Sequence, residues 1–264
     1  MRKLIPTLAL LLLSTTTYCE KKTDTESGFS LSYKYIFGKS YNYKKIMNSD
    51  DEKFVSFIRI QSIDSTQQGD INFKYKLDSC AFYYKNSLRR QKTKQELEYA
   101  QIQVTYTKTG KQLNRKYFDE TKKDYSINSD YSDNENLFEL SLKNIDFGNT
   151  WKTSRTYDNG LHSTKIKKLE NKLIGVENKN GHLCYRVDFQ GTDTEITKQD
   201  DYTQTDAGST VGTFWIDKES LIIIAVESET VFGETKGQHP GLSPFAGLKL
   251  ISRAPIKMSL EIIE

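Results

Sequence analysis

The stretch LIGVENKNGHLCYRVDF, residues 173–189, decides the fold class of this chain. Asn180-Gly181 lies between two runs in which apolar and polar side chains alternate, and Asn-Gly readily takes the positive φ that a tight hairpin turn requires. A period of two places successive side chains on opposite faces of a strand. The stretch therefore predicts an antiparallel β-hairpin with one buried face and one face in water.

The same alternation recurs along most of the chain, whereas helical periodicity is scarce. It predicts further strands, among them 29–37, 71–77, 102–106, 138–142 and 256–262. Gly110 marks another turn, and residues 92–101 predict one short helix or a long hairpin arm. The 16 Tyr and 13 Phe suit pleated, half-buried surfaces. We predict an all-β (or β-dominated α+β) fold with a large antiparallel sheet and few short helices.

Residues 1–18 have the layout of a secretory signal peptide: a basic tip, a leucine-rich run and small hydroxyl residues. The apolar run is shorter than the roughly 20 residues that a membrane span needs. Cys19 and the polar stretch EKKTDTESG (20–28) then resemble the start of a bacterial lipoprotein, in which this cysteine carries lipid. Tyr18, where a small residue is usual, keeps open the alternative of cleavage after Thr17 and release as a secreted or periplasmic soluble protein.

The predicted organisation is therefore a signal peptide over 1–18, an anchor cysteine with a polar tether over 19–28, and a single β-rich domain over 29–264. The chain has three cysteines, so lipid on Cys19 leaves Cys80 and Cys184 as an even pair. Both lie in strand-like runs. They can form a disulfide, or both can be small buried apolar side chains, which is the interpretation that we favour.

Composition and motifs argue against several classes of function. The net charge of +3 falls to +1 when Arg2 and Lys3 leave with the signal peptide, so no concentrated basic surface predicts nucleic-acid binding. The sequence contains no G-x-S-x-G, Walker or H-E-x-x-H motif. His162, His182 and His239 have no Cys or His at metal-ligand spacing. We therefore predict no catalytic residue, no metal, no cofactor and no enzymatic activity.

Three segments resemble strand segments of uncharacterised bacterial exported lipoproteins: YKYIFGKSYNYK (33–44), IDFGNTWK (145–152) and GTFWIDKESLIIIAVESET (212–230). The first segment contains FGKSY and the second contains FGNTW, and these similar motifs predict the same bend before a strand. The architecture of these proteins is similar to lipoprotein-carrier half-barrels. The resemblance implies a curved antiparallel sheet around an apolar hollow, and it carries no catalytic residues.

These observations predict a lipid-anchored, non-enzymatic protein of the bacterial cell envelope that binds a lipid or another apolar ligand. The alternative is a structural or surface-interaction module without a ligand cavity, which contacts an envelope protein. An envelope hydrolase ranks last. Tyrosine-rich segments 31–43 and 71–84 can line a sugar- or lipid-binding face, but core packing is the interpretation that we favour.

Overall fold

The computed structural model of the chain describes residues 31–66, 69–99, 101–117, 138–140, 145–158, 163–199, 202–233, 236–238 and 255–263. The predicted signal peptide, Cys19 and the tether lie outside these residues. The division of the chain into signal, anchor and β-rich domain therefore stays a prediction.

Thirteen strands in one sheet and one short helix make up the secondary structure of the described residues. The first six strands are β1 (Ser40–Ser49), β2 (Glu52–Ser65), β3 (Ile71–Tyr84), β4 (Ser87–Gln91), β5 (Gln101–Tyr106) and β6 (Gln112–Tyr117). The others are β7 (Thr150–Asp158), β8 (Ser163–Lys179), β9 (His182–Gln199), β10 (Tyr202–Asp217), β11 (Ile223–Phe232), β12 (Lys236–Gln238) and β13 (Ile256–Ile263). Helix α1 (Lys94–Tyr99) connects β4 to β5.

Neighbouring strands pair antiparallel in the order β6-β5-β3-β2-β1-β13-β11-β10-β9-β8-β7, with β4 beside β3 and β12 beside β10. The sheet is curved, as is shown by the approach of edge strand β7 to the turn between β5 and β6 near the opposite edge. There Nη2 of Arg155 donates a hydrogen bond of 2.8 Å to the carbonyl oxygen of Gly110. The predicted all-β, curved antiparallel sheet is confirmed. We call the face with the buried side chains the inner face, and the opposite one the outer face.

The hairpin of β8 and β9 forms as the sequence predicts. These are the longest strands, with 17 and 18 residues, and Lys179 pairs with His182 across a two-residue turn. Asn180 and Gly181 both have positive φ, at 51° and 83°. This conformation suits the right-handed twist of the flanking strands, so the turn sets the register of the whole hairpin.

Of the two alternatives for residues 92–101, a short helix or a hairpin arm, the structure has the short helix α1, and a capping box holds its start. The Thr93 N–H donates to Oε2 of Glu96 at 2.7 Å, while the Glu96 N–H donates to Oγ1 of Thr93 at 3.2 Å. The bond from the Thr93 backbone, followed by the one from Arg90, lowers the pKa of Glu96 to about 2. These contacts satisfy N–H groups that the first helical turn leaves without partners.

Two of the predicted strands are wrong for their described residues. Residues 31–37 and 138–140 are not strands: 31–35 and 138–140 cross the inner face of the sheet, and 36–37 begin an exposed turn. The Tyr33 N–H donates to the Lys108 carbonyl at 2.8 Å, and the Leu140 N–H donates to the Thr109 carbonyl at 2.7 Å. We call 31–35 and 138–140 the two interior segments.

The interior segments join the aromatic core of the two halves of the sheet. The Tyr33 hydroxyl donates to the Phe138 carbonyl at 2.8 Å and accepts from the Phe138 N–H at 3.1 Å. The Phe138 ring stacks on Phe214 with 4.2 Å between centroids, and Tyr35 meets Phe73 edge-on at 4.7 Å. The favoured interpretation of the tyrosine-rich segments as core is confirmed for the buried Tyr33, Tyr41, Tyr43 and Tyr75.

The two FG motifs form the same turn, each just before a strand of the sheet. We call residues 36–39 and 146–149 the first and second FG turns. Gly38 and Gly148 have positive φ, at 75° and 88°. In both turns the glycine N–H donates to a carbonyl of the neighbouring strand, from Gly38 to Ser62 at 2.8 Å and from Gly148 to Leu173 at 2.7 Å. The N–H of the next residue closes the turn, from Lys39 to the Ile36 carbonyl and from Asn149 to the Asp146 carbonyl, both at 3.1 Å.

Candidate functional site

The described part of the inner face is occupied by the chain itself. Leu31, Tyr33, Phe138 and Leu140 of the interior segments belong to one buried cluster with the side chains of the sheet. Burial raises the pKa of the Tyr33 hydroxyl well above its ordinary value, so this group stays protonated at neutral pH. It serves as a hydrogen-bonding group within the core. An apolar ligand on this part of the inner face would have to displace these side chains.

Buried charges lie on the inner face of β8 and β9, away from the aromatic core. The Asp193 side chain is buried, and its Oδ2 lies 3.3 Å from Nζ of Lys165 and 3.9 Å from Nζ of Lys167. Among the described residues, Oδ1 of Asp193 has no hydrogen-bond donor. Two ammonium groups beside one carboxylate offset the cost of burying its charge.

Three shallow depressions formed by described residues lie on the outer face, and Val211 of β10 lines all of them. Their volumes are about 680, 530 and 420 Å³. The side chain of Val211 is 54% exposed. Polar and charged side chains from β8, β9 and β10 surround it in the largest depression: Lys168, Glu170, Gln190, Thr192 and Ser209. We call this area the Val211 surface.

The Val211 surface combines hydrogen-bonding and charged groups with more than one apolar side chain, since Ile174 of β8, which is 40% exposed, lines the neighbouring depression together with Val211. Cationic Lys168 and anionic Glu170 both project from β8 on the outer face, and the neighbouring groups are amides and hydroxyls. The depressions are shallow and open, unlike the enclosed pockets in which small molecules bind. Apolar side chains among polar and charged groups are the composition of an ordinary protein interface.

In a second outer-face cluster, around Trp215, the polar and charged side chains bond to one another. The Trp215 indole N–H donates to Oε1 of Glu177 at 2.6 Å, and Nζ of Lys179 lies 4.1 Å from the ring centroid. Arg186 donates to both carboxylate oxygens of Asp188, at 2.9 and 3.3 Å, and this carboxylate raises the pKa of Arg186. These contacts cover a buried aromatic ring, so we interpret the cluster as structural.

His182, Asp217 and Ser220 meet at the end of β10, but not in the order that hydrolysis needs. Oδ1 of Asp217 accepts bonds of 2.6 Å from both the hydroxyl and the N–H of Ser220, and Oδ2 lies 3.3 Å from Nδ1 of His182. Burial opposes ionisation of Asp217, yet the bonds from Ser220 and His182 outweigh it and hold its pKa below the ordinary value. A catalytic triad places the imidazole between acid and hydroxyl. Here the carboxylate lies between them and fixes the turn.

Cys80 and Cys184 are both buried thiols in the structure, and neither forms a disulfide. They lie on β3 and β9, which five other strands separate along the sheet. Burial raises the pKa of Cys184 to about 11, which makes this thiol unreactive at neutral pH. The structure thus corresponds to the favoured interpretation of this pair, and it shows no disulfide between them.

The other sequence candidates lie outside the described residues. These are the predicted lipid-attachment residue Cys19, together with His162 and His239. The described part of the chain contains no helix long and apolar enough to cross a membrane. Within the same residues, no group of three or more His, Cys, Asp or Glu side chains is placed to hold a metal ion.

The amino-acid sequence alone does not predict the Val211 surface. Alternation marks Ser209 and Val211 as neighbours on one face of a strand, but the depressions arise only where β7, β8, β9 and β10 lie side by side. An exposed valine within a row of hydroxyl residues is the only local signal. That signal is common on sheet surfaces, so it could not have located the site by itself.

No protein-family model matches the chain, and a search of curated proteins finds no similar sequence. The resemblance to exported lipoproteins therefore remains a prediction from short motifs.

Proposed function

We propose that this protein is a non-enzymatic interaction module of the bacterial cell envelope, lipid-anchored through Cys19, which binds a partner protein at the Val211 surface. The observation that carries the proposal is the contrast between the two faces of the sheet. Interior segments pack against the inner face, whereas three adjoining depressions lie open on the outer face. This contrast favours binding on the outside over a ligand within the hollow.

The anchor is proposed from the sequence of the leader. A basic tip, an apolar run, hydroxyl residues, Cys19 and a polar stretch follow one another in the order of a lipoprotein signal. An anchor keeps an interaction module at the membrane surface, where it meets envelope partners repeatedly. Metabolic labelling with a fatty acid, in the native chain and in Cys19→Ser, tests it. Label in the native chain alone supports the anchor, and equal labelling or none contradicts it.

Carriage of an apolar ligand remains the competing function. The aromatic inner face would suit a lipid, but only after the side chains of Tyr33 and Phe138 had moved from their packed positions. Native mass spectrometry of protein purified in gentle detergent separates the two functions. We expect the mass of the polypeptide and its anchor alone. A second, non-covalent lipid that persists through purification would favour the carrier.

Site-specific photo-crosslinking in intact cells tests the Val211 surface directly. A photoreactive amino acid at Val211 is compared with the same residue at Leu113 on β6, because the two side chains are 54% and 51% exposed. We expect a discrete crosslinked protein from position 211 and none from position 113. The same pattern at both positions, or no product at 211, would contradict the proposed surface.

A further inference from the structure

The first FG turn exposes two adjacent apolar side chains to solvent. Ile36 is 60% exposed and Phe37 is 71% exposed, more than any other large apolar side chain among the described residues. Single exposed apolar residues are ordinary on protein surfaces, but adjacent bulky ones on a projecting turn mark a contact site.

The backbone holds these two side chains outward in a fixed arrangement. The Ile36 N–H donates to the Tyr41 hydroxyl at 3.1 Å, and the Ile36 carbonyl accepts from the Lys39 N–H at 3.1 Å. The Gly38 N–H donates to Ser62 of the neighbouring strand at 2.8 Å. Three hydrogen bonds in four residues keep Phe37 from folding back onto the core, so its apolar surface stays available to a partner.

The charges beside the turn favour an anionic surface. Residues 33–41 include the exposed Lys34 and Lys39 and no acidic residue, and the exposed Asp64 of the neighbouring strand β2 leaves an excess of positive charge. Nζ of Lys39 lies 5.3 Å from the centroid of the Tyr41 ring. Apolar and aromatic side chains flanked by lysines are the combination that enters the headgroup region of a bilayer, where the ammonium groups meet phosphates.

The position of the turn along the chain points to the same partner. Leu31, the first described residue, is buried beneath this end of the sheet and lies 12 residues after Cys19. A chain of that length spans at most about 40 Å. We propose that the first FG turn rests on the lipid surface that holds the anchor, with Ile36 and Phe37 among the headgroups. This inference rests on the proposed lipid anchor at Cys19.

The second FG turn gives the surface a further contact. Phe147 occupies the position of Phe37 in that turn and is 52% exposed. Six antiparallel pairings separate β1 from β7, so the two strands run in the same direction and both FG turns precede the same end of their strands. A domain that stands on this end would bring both turns towards the membrane, although the exposed Asp146 beside Phe147 makes the second turn the weaker contact with an anionic surface.

A fluorescence experiment on the lipidated protein tests the orientation. Phe37→Cys and Leu88→Cys are labelled with bimane and reconstituted into vesicles of phosphatidylethanolamine and phosphatidylglycerol that contain brominated lipid. Leu88 is the matched control, because it is also exposed. It lies in the β3–β4 hairpin, whose Lys85 N–H donates to the Asp51 carbonyl just after the end of β1. The length of β1 therefore separates Leu88 from the first FG turn by roughly 30 Å. The buried Cys80 and Cys184 are protected from the label in the folded protein.

We expect a blue shift and a loss of bimane fluorescence at position 37, and neither at position 88. A second variant, Phe147→Cys, should resemble position 37. Full exposure at 37, or quenching at 88 instead, overturns the inference. Shielding of position 37 without vesicles, rising with protein concentration, overturns it in favour of a second copy of the chain.

Fatty-acid labelling of the same preparations separates the two levels of the proposal. If the native chain carries lipid and position 37 stays in water, only the membrane contact fails. If neither the native chain nor Cys19→Ser carries lipid, the anchor fails, and the contact that depends on it fails with it. Thermal unfolding of each labelled variant verifies that the substitution leaves the fold intact.

Discussion

The turn between β5 and β6, which we call the Gly110 turn, and the second FG turn each contain a glycine with the same φ, but in different surroundings. φ is +88° at both Gly110 and Gly148. A Cβ atom on Gly148 would meet nothing within 4 Å, but one on Gly110 would overlap the Phe138 carbonyl oxygen and come within 2.8 Å of Cε2 of Tyr33. One glycine is needed for its φ alone, whereas the other is needed for its φ and for space.

This difference distinguishes a turn that ends a strand from a turn that organises a core. Both interior segments donate hydrogen bonds to the Gly110 turn, through Tyr33 to Lys108 and through Leu140 to Thr109. Arg155 of the opposite sheet edge also donates to Gly110. The curvature of the half-barrel and the filling of its inner face therefore meet at one small turn.

Gly110→Ala should have the largest effect on this contrast. A positive φ costs an alanine about 1 kcal/mol, and the overlap with a backbone carbonyl adds roughly 1–3 kcal/mol. We expect a loss of about 3 kcal/mol in the free energy of unfolding, measured by denaturant titration. A loss as small as that of Gly148→Ala would show that the interior segment moves aside freely, which would contradict the packed junction.

Tyr33→Phe tests the hydrogen bonds of the same junction without changing its shape. The substitution leaves the N–H and the carbonyl of Phe138 buried without their hydroxyl partner. We expect a loss of about 2 kcal/mol in unfolding free energy, because buried polar groups without partners carry a desolvation penalty. Tyr84→Phe, at an exposed ring, is the control and should change stability little.

The sequence predicted those elements whose signals are local. Asn180-Gly181 specified a hairpin because its turn chemistry and its flanking alternation agree. The segment with Leu31 and Tyr33 was misassigned as a strand because alternation reports which side chains are buried, not which partner the backbone has. Its backbone bonds go instead to the Gly110 turn, 75 or more residues away in the chain, and no local pattern encodes that partner.

The candidate site was harder to predict than the fold for the same reason. The Val211 surface combines residues from β7 to β10, and its depressions depend on registers set by two hairpins. Phe37 was visible in the sequence as part of an alternating run, which suggested burial. Its exposure follows from the turn at Gly38, whose bond to Ser62 directs the side chain outward.

Gly148→Ala and Gly38→Ala should reduce stability less than Gly110→Ala does. Neither Cβ would meet another atom within 4 Å, so only the positive φ is unfavourable. We expect each substitution to reduce the free energy of unfolding by about 1 kcal/mol, and the two losses to agree. A loss at Gly148 that equals the loss at Gly110 would contradict the claim that surroundings decide the difference. Circular dichroism melts suffice to measure it.

Asp217 gives the smallest expected effect, at a turn held by side chains instead of glycine. Its pKa is lower in the folded chain than the value of about 3.9 in an unfolded one. The ionised carboxylate therefore stabilises the fold above roughly pH 4, and this contribution is lost as the pH falls through the folded-state pKa. We expect Asp217→Asn to lower stability by less than about 1 kcal/mol at pH 7 and to approach the native chain below pH 4. Asp146→Asn, in the second FG turn, is the control for losing one carboxylate. If the difference in unfolding free energy between the native chain and Asp217→Asn stays constant from pH 7 to pH 3, the contacts with Ser220 and His182 do not depend on the charge of Asp217.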